Sequence, residues 1–356
     1  MSKQIKTLKT KLGDGHPLAA PCGVKTDGTP YVIDIDQGPH WLLCGTTGSG
    51  KSVFANSLLI ALIYSHTPDT LKISWIDPKG GAEAAPYNEL PYCPIPPIIK
   101  NGDAYGFLSY LVLEMRRRNQ AIKNAGHKDI KGFNKWYNDG HSDEAAELGY
   151  PDGMPYWVAM IDEYANIHTE CPDADELFKT LAAMSRSAGI HVILATQRPS
   201  ADVIPGTLKS NLPSRIALTV ASSVDSMIAL DHEGAEKLHG HGDGIVRQNG
   251  KGEVRVQGLY ISDEEIANIF AFLREKYGAI TYDQYHWDGE KVAWNDDAKF
   301  GPYKEIEYKT KVTDPAFCKQ WGYDAPMCDW MEGESPSDFP NEPEKWHVKQ
   351  HKTRRW

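Results

Sequence analysis

No run of this chain approaches the roughly 18–20 uninterrupted apolar residues that a membrane-crossing helix needs. Its first residues, MSKQIKTLKTKLGDG, also lack the apolar middle of a secretory signal. The sequence is therefore expected to have no membrane segment of its own and to work in the cytoplasm. Six cysteines, Cys22, Cys44, Cys93, Cys171, Cys318 and Cys328, form neither a CxxC pair nor a Cys/His cluster at zinc spacing, which points to reduced thiols rather than a metal centre. Positive charge is in deficit as well: 38 Lys and Arg face 48 Asp and Glu, a net charge of −10. That balance excludes a protein coated in cations that grips nucleic acid through its whole surface. It still permits a few basic loops that touch phosphates around a lumen. Internal repeats are absent from the sequence.

What is present is the composition of an ordinary globular protein, 41% apolar and 24% charged. A length of 356 residues allows one large core with an accessory segment. Residues 1–20 read as a flexible, Lys-rich arm. From about residue 21 to 279, apolar strands alternate with helices: TPYVIDI, HWLLCG, SVFANSLLIALIYSH, LKISWID, a helix from Asp103 to Ala125, YWVAMIDE, ADELFKTLAAMSRSAG, HVILATQ, RIALTV and DEEIANIFAFLREKYG. This is the pattern of an α/β domain, a mostly parallel sheet covered by helices on both faces. Within it, the arginines of EMRRRNQ are expected on a solvated helix face. The polar and aromatic stretch between Gly126 and Asp152 is expected to be an insertion or a long loop rather than core. Residues 280–356 hold Trp287, Trp294, Trp321, Trp330, Trp346 and Trp356, many prolines and an acidic excess, with no helix or strand period. They read as an irregular tail that either packs on the domain or docks a protein partner.

The sharpest signal is Gly45-Thr46-Thr47-Gly48-Ser49-Gly50-Lys51-Ser52, a full GxxxxGK[ST] match between a strand and a helix, with Val53 following in the first turn. Such glycines let backbone N–H groups point at phosphate oxygens, while the helix turns its positive end to the same anion. Lys51 would neutralise the β- and γ-phosphates of ATP, and the Ser52 hydroxyl would help hold Mg²⁺. A second element, the strand Tyr156–Ile161, runs into Asp162 and Glu163, at the carboxyl edge where such sheets bind ligands. Asp162 would orient the Mg²⁺ shell and Glu163 would polarise the attacking water. Adjacent Asp-Glu marks the hydrolytic ATPases of this class, and no NKxD-type guanine-recognition element is present. A third strand, Ile193-Leu194-Ala195-Thr196, ends at Gln197, whose amide is a candidate sensor of the γ-phosphate.

In order and spacing, PHWLLCGTTGSGKS, WIDPKGG, VAMIDEYANI, SRSAGIHVILATQRPSADVIPGTLKSNLPSRIALTV and SSVDSMIALDHEGAEKLHGHGDGI resemble successive blocks of the FtsK/SpoIIIE motor domain of the HerA/FtsK superfamily. The resemblance spans roughly residues 20–278. It implies a RecA-like ATPase core, a homo-hexameric ring with ATP between subunits, and double-stranded DNA in the hole. A cation from the neighbouring subunit would then stabilise the leaving phosphate, with Arg186 the first choice and Arg215 the second. For DNA phosphates the candidates are Lys128, Lys131, Asn134 and Lys135 in KDIKGFNKW, and Arg198, Lys209 and Asn211 beyond Gln197. The sequence departs from the large bacterial relatives in offering no membrane region and no winged-helix module at its end. A compact motor serving a mobile element, in transfer, packaging or maintenance, fits these departures. The alternative is a coupling ATPase for conjugation or secretion that acts on nucleoprotein or protein.

Overall fold

The computed structural model describes residues 16–280 and a short antiparallel pair, Lys291–Val292 with Ile306–Glu307. Residues 1–15 of the expected arm and the rest of the Trp-rich tail lie outside the described residues. The end of the arm is no flexible lead-in, since Leu18, Ala19 and Ala20 are buried and the last two belong to a strand. Strands β1 (Ala19–Lys25), β2 (Pro30–Asp34) and β3 (His40–Cys44) lead into helix α1 (Lys51–Ile63) and strand β4 (Leu71–Ile76). Three helices follow, α2 (Asn101–Asn124), α3 (Ile130–Asn138) and α4 (Ser142–Glu147). The chain continues with β5 (Tyr156–Ile161), α5 (Tyr164–Glu170), α6 (Ala174–Met184), β6 (Ile190–Thr196), α7 (Gly206–Ser210) and β7 (Ser214–Leu218). It closes with α8 (Ser223–Leu230), β8 (Asp243–Arg247), β9 (Glu253–Gly258) and α9 (Asp263–Tyr277). The described residues divide into two compact units, one of residues 16–100 and 155–280, the other including 101–154.

The first unit is built on a nine-stranded sheet of order β2-β1-β9-β8-β7-β3-β6-β5-β4. Strands β7, β3, β6, β5 and β4 run parallel, and β8, β9, β1 and β2 extend the sheet antiparallel. The parallel part is the expected one, and its strands are buried along their full length, as continuous apolar runs covered on both faces must be. The antiparallel strands β8 and β9 escaped the sequence reading because their residues alternate between buried and exposed and carry charge, as in Glu253-Val254-Arg255-Val256. Helix α1 is buried around nearly its whole circumference, only Ser52 and Val53 being partly open. Helix α9 starts on a capping box between Ser262 and Glu265, and Phe270 packs edge-on against Tyr87, itself 4.7 Å from Trp75.

The second unit corrects two expectations. Residues 126–152 are not a loop: Asp129 caps α3 by accepting from the Gly132 N–H, and Ile130 and Phe133 bury one side of the helix. Glycines and charges inside the segment mask that apolar face. Nor are the arginines of α2 a solvated face. Arg117 and Arg118 reach back one turn to a buried Glu114, at 3.1 and 2.7 Å, with side chains 3% and 0% exposed. Arg117 also donates to the Gly149 carbonyl and lies over the Tyr150 ring.

Candidate active site

Register brings the functional strand ends to one edge. Cys44 of β3 pairs with Thr196 of β6, Ile161 of β5 with Leu194, and Ile76 of β4 with Ile161. Whatever follows each strand therefore emerges at the same carboxyl edge of the parallel sheet.

The phosphate loop 45–50 leaves β3 here and is tied down from the side. Gly45 donates to the Thr196 carbonyl at 3.3 Å, and Thr46 donates to Thr219 O through both its N–H (2.9 Å) and its hydroxyl (3.0 Å). Gly242 donates to Ser49 O at 2.7 Å. Gly48 and Gly50 take φ of 81° and 93°, a region open to glycine. At Gly50 a Cβ would in addition stand 2.7 Å from the Gly242 nitrogen. The Ser49 hydroxyl is buried without a protein partner, and a Cβ on Gly45 would stand 2.5 Å from it. An orphaned hydroxyl in a loop whose backbone is closed to side chains at Gly45 and Gly50 fits a cradle for anionic oxygens.

Beside this loop, buried Lys51 donates to the Asp162 carboxylate at 2.6 Å and to its carbonyl at 2.7 Å. Two buried opposite charges hold each other where a triphosphate would otherwise share the lysine. Ser52 stands in the first turn of α1, next in sequence to Lys51. The Ser52 hydroxyl and the Asp162 carboxylate are hard oxygens, the donor chemistry that Mg²⁺ prefers, an ion that keeps several waters and phosphate ligands. Glu163 is 3% exposed, and its Oε1 accepts from the Thr196 hydroxyl at 2.6 Å and from the Gln197 N–H at 3.1 Å. Lys79, just past β4, bonds its Oε2 at 2.8 Å. The Gln197 side chain accepts from the Thr47 hydroxyl at 3.3 Å, so this amide touches the phosphate loop. Cys44, buried at the base of the site, has its thiol pushed up to about 12 by burial and is no nucleophile.

The structure thus brings Lys51, Asp162, Glu163, Gln197 and the phosphate loop together. Arg186 lies elsewhere: it is exposed in the turn before β6, at the amino edge of the parallel strands. Arg215, near the start of β7, is committed within its own chain. It bonds Asp231 at 2.6 Å and faces the Leu212 and Ala229 carbonyls, its side chain 8% exposed. Lys209 is bound to the same carboxylate at 2.6 Å and to Met227 O, and Asn211 faces Thr207 O. Arg198 is exposed just after Gln197. In the helical unit Lys128, Lys131 and Lys135 are exposed on and beside α3, whereas both amide atoms of Asn134 are engaged by the Met154 backbone. The residues that sequence reasoning missed are Lys79, Thr196 and the Gly240–Gly242 turn behind the phosphate loop. The DPKGG and HGHGDG stretches were the available signals.

Comparison with known proteins supplies the family. The sequence profile of the FtsK/SpoIIIE family matches residues 8–201. The DNA translocase SftA of Bacillus subtilis (strain 168) is 42% identical over 262 residues, 73% of this chain and 27% of the relative. The DNA translocase FtsK of Clostridium tetani is 39% identical over 269 residues, 75% of this chain and 35% of the relative. The chain therefore spans about a quarter to a third of the length of these curated relatives. Among solved structures, the cytoplasmic domain of the Thermomonospora curvata Type VII secretion ATPase EccC superposes with a TM-score of 0.64 at 27% identity, over 72% of this chain and 31% of that one. The pCW3 conjugation coupling protein TcpA, with ATPgS, does so with a TM-score of 0.61 at 26% identity, over 75% of this chain and 73% of that one. With the phosphate loop, the Asp-Glu strand end and the Gln197 strand end gathered at one sheet edge, and with a profile match over more than half its length, the chain belongs to the FtsK/SpoIIIE family.

Proposed function

We propose that this chain is the motor of an ATP-driven double-stranded DNA translocase. The observation that carries the reading is the convergence of Lys51, Asp162, Glu163 and Gln197 on one anion cradle, in a chain about 40% identical to named DNA translocases. In the proposed reaction Glu163 takes a proton from a water whose oxygen attacks the γ-phosphorus, and the bond to the leaving ADP oxygen breaks. Lys51 spreads the charge of the phosphates, while Gln197 reports the loss of the γ-phosphate to the segment that begins at Arg198. Ser52 and Asp162 would hold Mg²⁺, which supplies charge neutralisation on the phosphates. The working form is a homo-hexameric ring in the cytoplasm with duplex DNA in its lumen. Arg186, exposed at the opposite edge, would reach the nucleotide of the neighbouring subunit. Lys128, Lys131, Lys135 and Arg198 are the proposed phosphate contacts, and the Trp-rich tail is the proposed dock for a protein partner of a mobile element.

The test is phosphate release by the purified chain with and without linear duplex DNA. Several-fold stimulation that weakens with salt supports the reading, and no stimulation at any salt overturns it. Glu163→Gln is expected to bind ATP and lose turnover by about 10²–10⁴, the usual scale of general-base catalysis. The likeness to EccC and TcpA favours one second reading, a coupling ATPase for secretion or conjugation. Stimulation by a polypeptide substrate in place of duplex would select it.

A further inference from the structure

Both acidic residues at the carboxyl edge are capped by lysines, Asp162 by Lys51 and Glu163 by Lys79. The first pair is undone by any triphosphate that claims Lys51. The second has no such obvious competitor, because Lys79 belongs to β4's outgoing loop and not to the phosphate loop.

The bonding of Glu163 is unusually complete. Its Oε1 accepts from Thr196 Oγ1 (2.6 Å) and Gln197 N (3.1 Å), and its Oε2 from Lys79 Nζ (2.8 Å) and Gln197 N (3.1 Å). An ionised carboxylate offers about four lone-pair sites. Three donors surround this one, the single Gln197 N–H being shared between both oxygens, and the carboxyl is 3% exposed, so a lytic water gains access as one of these bonds opens. Thr196 is fully buried on β6 and the Gln197 donor is backbone. Lys79 alone sits on a flexible stem, 36% exposed against 3% for Glu163. Its loop is pinned at the base, where Asp77 accepts from the N–H groups of Lys79 and Glu83. Directly after Lys79 it turns through Gly80 and Gly81, both at positive φ. Two glycines thus adjoin the one detachable partner, whose withdrawal would free Glu163 without disturbing the sheet.

We propose that Lys79 is a positioning residue that latches Glu163 in the idle protein, so that opening of the Lys79–Glu163 bond limits hydrolysis until the loop 77–83 moves. This rests on the hydrolytic reading of the site and adds a residue to it. The test uses the full chain and steady-state phosphate release from ATP without DNA. Lys79→Met is expected to raise the DNA-independent kcat about 3–10-fold with less than about twofold change in KM, a split that points to the chemical cycle and not to binding. Lys79→Arg, which keeps the cation, is expected to fall closer to the parent than Lys79→Met does. The gain is expected to vanish in the double variant with Glu163→Gln. A Lys79→Met protein whose DNA-independent kcat is unchanged or lower overturns the latch, as does a gain that survives the loss of Glu163. A parent that releases no phosphate at all overturns the hydrolytic reading and the latch with it.

Discussion

The two edges of the parallel sheet spend their charges differently. At the carboxyl edge the charged groups face one another: Lys51 on Asp162, Lys79 on Glu163, all within one chain. At the amino edge, Arg215 is buried and shares Asp231 with Lys209 and Arg247, whereas Arg186 is exposed. An arginine already paired inside its fold has little to deliver elsewhere, and an exposed one can serve another molecule. The difference separates two arginines that the sequence alone ranked only by motif.

The strongest way to break this comparison is at Arg186. Arg186→Ala is expected to lower turnover by about 10³ or more, the scale of a trans-acting arginine, with ATP affinity retained. Mixing it with the Lys51→Ala protein should restore activity, because a mixed ring contains interfaces with one intact Lys51 and one intact Arg186. Recovery in mixed assemblies, measured as phosphate release, sharpens the contrast; none at any ratio shows that Arg186 does not act across subunits. Next in size, Arg215→Ala should destabilise the fold by about 1–3 kcal/mol, the cost of leaving buried hydrogen-bonding groups unmatched, read as a lower Tm with nucleotide affinity intact. A loss of turnover at unchanged stability would instead give Arg215 a chemical role.

The smallest effect concerns two histidines of the amino edge. Burial, aided by the neighbouring His191 and Arg186, pushes His40 down to about 3, and burial also lowers His191. Both are neutral in the fold, and unfolding lets them take up protons near pH 6.5. Their contribution is thus complete above about pH 6.5 and is lost as the pH falls. For His40 the loss amounts to about 1.4 kcal/mol per pH unit down to its folded value. Thermal melts between pH 7.5 and 5.5 should show the decline, and His40→Asn should flatten it. A melt independent of pH over this range would show that the imidazoles titrate normally.

Much of this was legible in the sequence for a physical reason. Strands buried on both faces announce themselves as unbroken apolar runs, so β3, β5, β6 and β7 and the chemistry at their ends could be read directly. The phosphate loop, Asp162, Glu163 and Gln197 each sit one step past such a run. What stayed hidden depends on partners distant in sequence. Lys79 gains its meaning from Glu163, and the arginines of α2 from a carboxylate one turn back that draws them inside. The α3 segment looked like a loop because its apolar residues are few, yet Ile130 and Phe133, three apart, suffice once Asp129 caps the turn.

The contact of Gly50 with the turn at Gly242 has a reach beyond the site. A methyl group at Gly50 would collide with the Gly242 backbone nitrogen, whereas one at Gly242 would meet the Gln257 amide and Gly258 and not the cradle. The constraint runs one way: the backbone of the far turn decides what position 50 can hold, and a side chain in that turn would press on β9 instead. In variants of this protein position 50 should accordingly stay glycine whatever stands at 242, since the obstacle is a backbone nitrogen that every residue carries.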